Sequence, residues 1–198
     1  MSSTSPSFIG EYYIDEKFCD KLVDFFHTVP DQDDRNDPRW WYVKTAGQIG
    51  IDTANIRPEA KDSIDLTFGN RLLYSDDLPV DSLPYSDILH EYFRHMRPCV
   101  EAYIKEYPHS SETVFQVKEG VNLQYYAPGQ GYHMLHCERS GPYEPSIYRH
   151  LVFMTYLNTV TDKGGTHFHY QDYTAKAVKG KTLIWPSDWT HMHQGVIS

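Results

Sequence analysis

At 198 residues the chain is long enough to bury a sizeable core and reads as one domain with no room for a second catalytic unit. Its formal charge of -9 argues against nonspecific nucleic-acid binding, because a phosphate backbone needs clustered Lys and Arg. The apolar runs are too short and interrupted to span a bilayer, and the Ser-rich start lacks the basic and apolar regions of a secretory signal. Three cysteines without close spacing (Cys19, Cys99, Cys137) suit a reducing compartment, so a soluble cytoplasmic protein without disulfides is expected.

Residues 1–8 are Ser/Pro-rich and read as frayed. Gly10 to Ile14 reads as a short strand, and Asp15 as the N-cap of a helix carrying Phe18, Leu22, Phe25, Phe26 and Val29 on one face, with Pro30 as its stop. Residues 31–38 read as a charged loop. Lys61 to Leu66 alternates polar and apolar, which fits a strand or an extended loop equally. From Ser86 to about Tyr107, Leu89, Phe93, Met96, Val100 and Tyr103 recur at helical spacing, with Pro98 placed to kink or divide the helix.

After Thr113 the character changes. Val114 to Lys118, Val121 to Tyr126, His150 to Leu157 and Ala175 to Trp185 are β-prone runs separated by Gly, Pro and Asp. The expected class is α+β: a helical part over about 10–110 and an antiparallel β core over about 113–198, the helices packed on one side of a sandwich or rolled barrel. Neither repeats nor a Gly-rich phosphate loop is present. Sixteen tyrosines suit a pocket lined with rings, although an aromatic core accounts for most of them.

Chemistry concentrates in His136-Cys137-Glu138 and in His191, at the end of Trp185-Pro186-Ser187-Asp188-Trp189-Thr190-His191. On a strand, residues two apart share a face, so His136 and Glu138 point together while Cys137 points away. Two imidazoles and a carboxylate are the donor set that holds iron(II) and leaves positions open. A His-x-acid triplet alone is weak, because chance supplies one or two in this composition.

Context strengthens it. Tyr126-Ala127-Pro128-Gly129 precedes the triplet, Arg149 leads a strand ending in Tyr156-Leu157-Asn158, Gly164-Gly165-Thr166-His167-Phe168 follows, and Lys179-Gly180-Lys181-Thr182-Leu183-Ile184-Trp185-Pro186 leads to the distal histidine. In this order the segments resemble the 2-oxoglutarate and iron(II)-dependent dioxygenases, in particular the prolyl-4-hydroxylase-like group. The resemblance covers about Tyr125 to Gly195.

It implies a double-stranded β-helix (jelly-roll) core, His136, Glu138 and His191 as metal ligands and catalytic centre, and iron(II), 2-oxoglutarate and dioxygen as cofactors, with ascorbate as an option. Tyr126 and Thr166 are the implied cosubstrate contacts. The implied reaction is hydroxylation of an unactivated C–H bond coupled to decarboxylation of 2-oxoglutarate. Its substrate would be a prolyl residue in a protein or peptide, or a small molecule; a membrane or nucleic-acid partner is not expected, and oligomeric state is not legible.

Two departures stand out. Glu138 takes the place where the group more often has Asp, and no basic residue follows His191 to meet the distal carboxylate of 2-oxoglutarate. Arg149 or Lys181 would have to substitute, unless the apolar ending Gly195-Val196-Ile197-Ser198 marks a chain cut short or the protein binds the cosubstrate weakly or not at all. His133 is placed to approach metal or substrate, and Trp185 and Trp189 read as packing residues. Two other classes remain: a cupin-type metalloenzyme ligated by His167, His169 or His193, and a noncatalytic β-barrel that binds metal or peptide.

Overall fold

The computed structural model describes residues 7–29, 44–47, 56–68, 86–142 and 144–198. The loop expected over 31–38 and the helix stop at Pro30 lie outside the described residues. The elements are β1 (Gly10–Tyr13), α1 (Glu16–Thr28), β2 (Thr45–Ala46), β3 (Ile64–Phe68), α2 (Ser86–Glu106), β4 (Val121–Tyr125), β5 (Leu151–Thr155), β6 (Thr166–Phe168), β7 (Tyr173–Ala175), β8 (Lys181–Pro186) and β9 (His193–Gly195). The described strands form three antiparallel sheets, ordered β1-β8-β5, β2-β3-β4 and β7-β6-β9.

Asp15 caps α1 as its position implies. Its Oδ1 accepts from Lys17 N at 2.6 Å and Phe18 N at 3.2 Å, satisfying two amides that the first turn leaves without partners. Phe18, Leu22 and Phe26 then fall on the buried face. In α2 the buried stripe is Ile88, Leu89, Tyr92, Met96, Cys99 and Tyr103. This helix runs unbroken through Pro98, because Pro98 lies on the exposed face, where water can serve the carbonyl that the missing N–H leaves free.

The helices do not rest on one sheet alone. Phe93 and Tyr92 of α2 meet Phe153 of β5 at 6.4 and 6.1 Å between ring centroids, whereas Phe25 of α1 stacks on Phe68 of β3 at 5.9 Å and Phe26 on Tyr125 of β4 at 6.0 Å. One hydrophobic core therefore joins both helices to two sheets.

β8 is central and buried on both faces, which explains its continuous Leu183-Ile184-Trp185 run. Ile184 packs into the helical core, while Leu183 and Trp185 pack with Phe168 and Ala175 of the sheet β7-β6-β9. That second packing seats β9 beneath Trp185. The sharp turn into β6 needs Gly165 (φ +104°), since a Cβ there would stand 2.1 Å from Ala175 O.

Two local expectations are corrected. Val114 to Lys118 forms no strand: Val114 is 95% exposed and no described strand pairs with the segment. Ser7 and Phe8 are tied down rather than frayed, with Tyr103 Oη donating to Phe8 O (3.0 Å) and Ser7 O accepting from His191 Nε2 (3.0 Å). Cys19, Cys99 and Cys137 are free and buried, and no described helix is long and apolar enough to cross a membrane.

Candidate metal centre

His136 and Glu138 lie in an irregular segment held against β9 rather than in a strand of their own. His136 and His193 form an antiparallel bridge, exchanging His136 N to His193 O (3.0 Å) and His193 N to His136 O (2.8 Å). Opposed residues of such a pair present side chains to the same face. The two imidazoles accordingly lie 4.4 Å apart between centroids, and Glu138 Oε1 stands 3.6 Å from His136 Nε2 and 3.7 Å from His193 Nε2. One donor atom from each of the three lies within 4.8 Å of the others. Cys137 turns away and is buried, as the two-residue alternation implies.

The other ring nitrogens fix the chemistry of the set. His136 Nδ1 donates to Met134 O (2.8 Å) and His193 Nδ1 donates to His191 O (2.8 Å), since a carbonyl can only accept. Each ring then turns its Nε2 toward the carboxylate. A backbone carbonyl on the second nitrogen is the usual device that orients a metal-binding histidine. The separations of 3.6 and 3.7 Å exceed a hydrogen bond. They suit donors each about 2 Å from a shared cation, which would stand roughly 3–4 Å apart.

Burial pushes the Glu138 carboxyl up, but the facing imidazoles of His136 and His193 outweigh it and hold the group well below the usual carboxylate range. The residues present thus fit a divalent ion.

His191, expected as the distal ligand, is not part of the cluster. The turn Trp189–His191 precedes β9 and breaks the alternation, so His191 points elsewhere. Its Nε2 donates to Ser7 O at 3.0 Å, and its Nδ1 accepts from Thr190 Oγ1 at 2.9 Å, leaving no free lone pair. His193, not His191, lies with His136 and Glu138. Burial drives the His191 pKa down.

The remaining candidates divide. Arg149 reaches the cluster but is engaged: Nε and Nη2 grip Glu119 Oε1 and Oε2 at 2.7 and 2.6 Å, and Nη1 donates to Glu138 O (2.7 Å) and Oε2 (3.3 Å). Lys181 pairs with Glu11 at 3.0 Å. Tyr126 donates to Gln124 Oε1 at 3.1 Å, and burial pushes its phenol up. Thr166 is buried and accepts from Tyr156 Oη at 2.7 Å.

His133 and His169 are exposed, and His167 Nδ1 pairs with Thr174 Oγ1 at 2.9 Å, so of the three cupin-type candidates only His193 joins the cluster. Trp185 is a packing residue, meeting His193 edge-on at 5.2 Å, but Trp189 is 67% exposed and meets Tyr170 edge-on at 6.1 Å.

Sequence reasoning passed over Tyr132, which stacks on His136 at 3.8 Å and 15°, and whose phenol is pushed up to about 12 by burial and then by Glu138. It also passed over the buried cluster behind Tyr132. Lys61 bridges to Tyr132 through the backbone and holds its Nζ 5.7 Å from the ring centroid. Lys61 Nζ meets Asp65 Oδ2 at 2.5 Å, and Ser63 Oγ donates to Asp65 Oδ1 at 2.8 Å. The available signal was the charged-polar-charged spacing of Lys61, Ser63 and Asp65 beside an otherwise apolar strand.

No family model and no curated protein matches the chain. Solved structures do. The viral collagen prolyl hydroxylase of Paramecium bursaria Chlorella virus-1, in its 2OG complex, superposes with a TM-score of 0.53 at 17% identity, over 96% of this chain and 88% of that one. A Pseudomonas putida prolyl-4-hydroxylase superposes with a TM-score of 0.56 at 12% identity, over 96% of this chain and 84% of that one. This chain has the prolyl hydroxylase fold. The agreement with the resemblance seen in the sequence is one of fold.

Proposed function

We propose that the protein is an iron(II)- and 2-oxoglutarate-dependent dioxygenase that hydroxylates an unactivated C–H bond, with a prolyl residue of a protein or peptide as the first substrate class to try. In this reading the three sheets roll into a double-stranded β-helix. The observation that carries the reading is the convergence of His136, Glu138 and His193, with both histidine Nδ1 atoms committed to backbone carbonyls.

His136 and His193 would bind iron(II) through Nε2 and Glu138 through Oε1. Bound there, the metal and 2-oxoglutarate supply the oxidising power that protein side chains lack. The chain does the rest. The Met134 and His191 carbonyls lock the ring orientations. Tyr132 covers one face of His136, while Phe168 and Trp185 pack against His193 at 5.5 and 5.2 Å and screen that ring from water. The depressed Glu138 carboxyl stays ionised across the physiological range and is ready to bind without losing a proton. A neutral Tyr132 phenol keeps a hydrogen-bond donor beside the centre.

The test is formation of succinate from 2-oxoglutarate in the presence of iron(II) and air, with and without proline-rich peptides. Turnover by the wild type that disappears in His136→Ala, Glu138→Ala and His193→Ala supports the proposal. A wild type that binds iron(II) yet forms no succinate with any peptide or small-molecule panel would leave it a binding protein.

A further inference from the structure

We infer that Arg149 and Glu119 form a positioning pair that makes Glu138 a one-oxygen ligand, an inference that rests on the metal-centre reading above. Glu138 has two oxygens, and only Oε1 faces the imidazoles. Arg149 Nη1 takes the other, Oε2, at 3.3 Å, and the carbonyl of the same residue at 2.7 Å. Both the side chain and the backbone of Glu138 are thereby tied to one nitrogen.

The guanidinium is itself pinned from the far side. Its Nε and Nη2 make the two parallel bonds to Glu119 that suit a planar fork, at 2.7 and 2.6 Å. Its backbone carbonyl accepts from the buried Ser187 hydroxyl at 2.7 Å. The three ionic side chains are about a quarter to a third exposed, so solvent only partly screens them.

Charge explains why Glu119 is needed. Arg149 alone beside Glu138 would cancel the negative charge that attracts a divalent ion. With Glu119 opposite, the trio carries one net negative charge, and Arg149 orients the ligand without neutralising the site. Lysine could not replace it, since a single ammonium cannot bridge two carboxylates in a plane.

Cobalt(II), added anaerobically to the full chain, gives both an affinity and a visible ligand-field band. Glu119→Gln, nearly identical in shape, is expected to raise the cobalt(II) Kd roughly 10–100-fold, the range for losing an outer-shell partner. Arg149→Lys is expected to shift the band, reporting altered ligand geometry. Glu119→Gln combined with Arg149→Met removes both charges, so affinity should recover toward wild type while the band stays displaced, a pattern that simple loss of packing would not give.

Glu119→Gln and Arg149→Lys that each bind within twofold of wild type with an unchanged band overturn the inference. A wild type that binds no cobalt(II) removes the metal-centre reading, and this inference with it. Should the variants fail to unfold cooperatively, the wild type decides alone: manganese(II)-soaked crystals should show Glu138 bound through Oε1 with Arg149 on Oε2, and a Glu138 bound through both oxygens overturns the pair.

Discussion

Lys61→Met removes an ammonium from a place where it has no substitute. Lys61 is 3% exposed and Asp65 5%, and apart from Lys61 the Asp65 carboxylate is met by the Ser63 hydroxyl at 2.8 Å. Methionine keeps the length of the stem, so packing is largely retained and the loss is electrostatic. Stripping one partner from a buried pair costs about 3–5 kcal/mol, and in a chain of this size each kcal/mol moves Tm by about 2–4 °C. Thermal unfolding followed by near-UV circular dichroism should therefore fall by roughly 6–20 °C.

Lys61→Met with Asp65→Leu removes both charges and should recover most of the loss, because an apolar pair of similar volume often replaces a buried ion pair at little cost. Since Lys61 bridges to Tyr132 and Tyr132 stacks on His136, the single variant should also weaken metal binding. A single variant melting within about 2 °C of wild type would refute the argument, showing the pair to be solvated.

Asp15→Ala should lower Tm by about 2–4 °C, as loss of an N-cap costs about 1 kcal/mol, whereas Asp15→Asn should stay close to wild type; equal melting of all three would refute the cap. Cys19, fully buried and with its thiol pushed up to about 11 by that burial, should resist a thiol-disulfide reagent at pH 8 until the chain is denatured, and its rapid native labelling, located by mass spectrometry, would contradict the core assignment. Acid should also cost stability through His191. Its folded pKa lies below the unfolded value near 6.5, so the unfolded chain binds the proton first and this contribution is lost as pH falls through about 6.5 toward the folded pKa. His191→Gln should flatten that part of the stability profile, and an unchanged profile would refute the claim.

Local rules were legible where local forces decide. Asp15 before an apolar stripe gave the α1 start, and the β-prone run Ala175 to Trp185 holds most of β8, although the break between β7 and β8 inside it was not read. Pro98 does not divide α2, because a helix tolerates proline on a solvated face, and facing is a tertiary property. Val114 to Lys118 has strand composition, yet no described strand pairs with it, and pairing is a tertiary property that propensity cannot reveal.

The candidate centre shows the same division. His136 and Glu138 followed from two-residue spacing together with the family resemblance, but telling His191 from His193 required knowing where the last strand begins. The turn at Trp189–His191 rotates His191 onto Ser7, at the opposite end of the chain, and only the bridge to His136 identifies His193. Glu119 and Lys61 stayed hidden for a related reason: their partners are Arg149, thirty positions away, and a carboxylate made significant only by burial.

The most direct test is anaerobic equilibrium binding of iron(II) to the wild type, His193→Ala and His191→Ala. The wild type should bind one equivalent, His193→Ala should lose binding, and His191→Ala should retain it while melting at a lower temperature. Retention by His193→Ala together with loss in His191→Ala would contradict the centre described here.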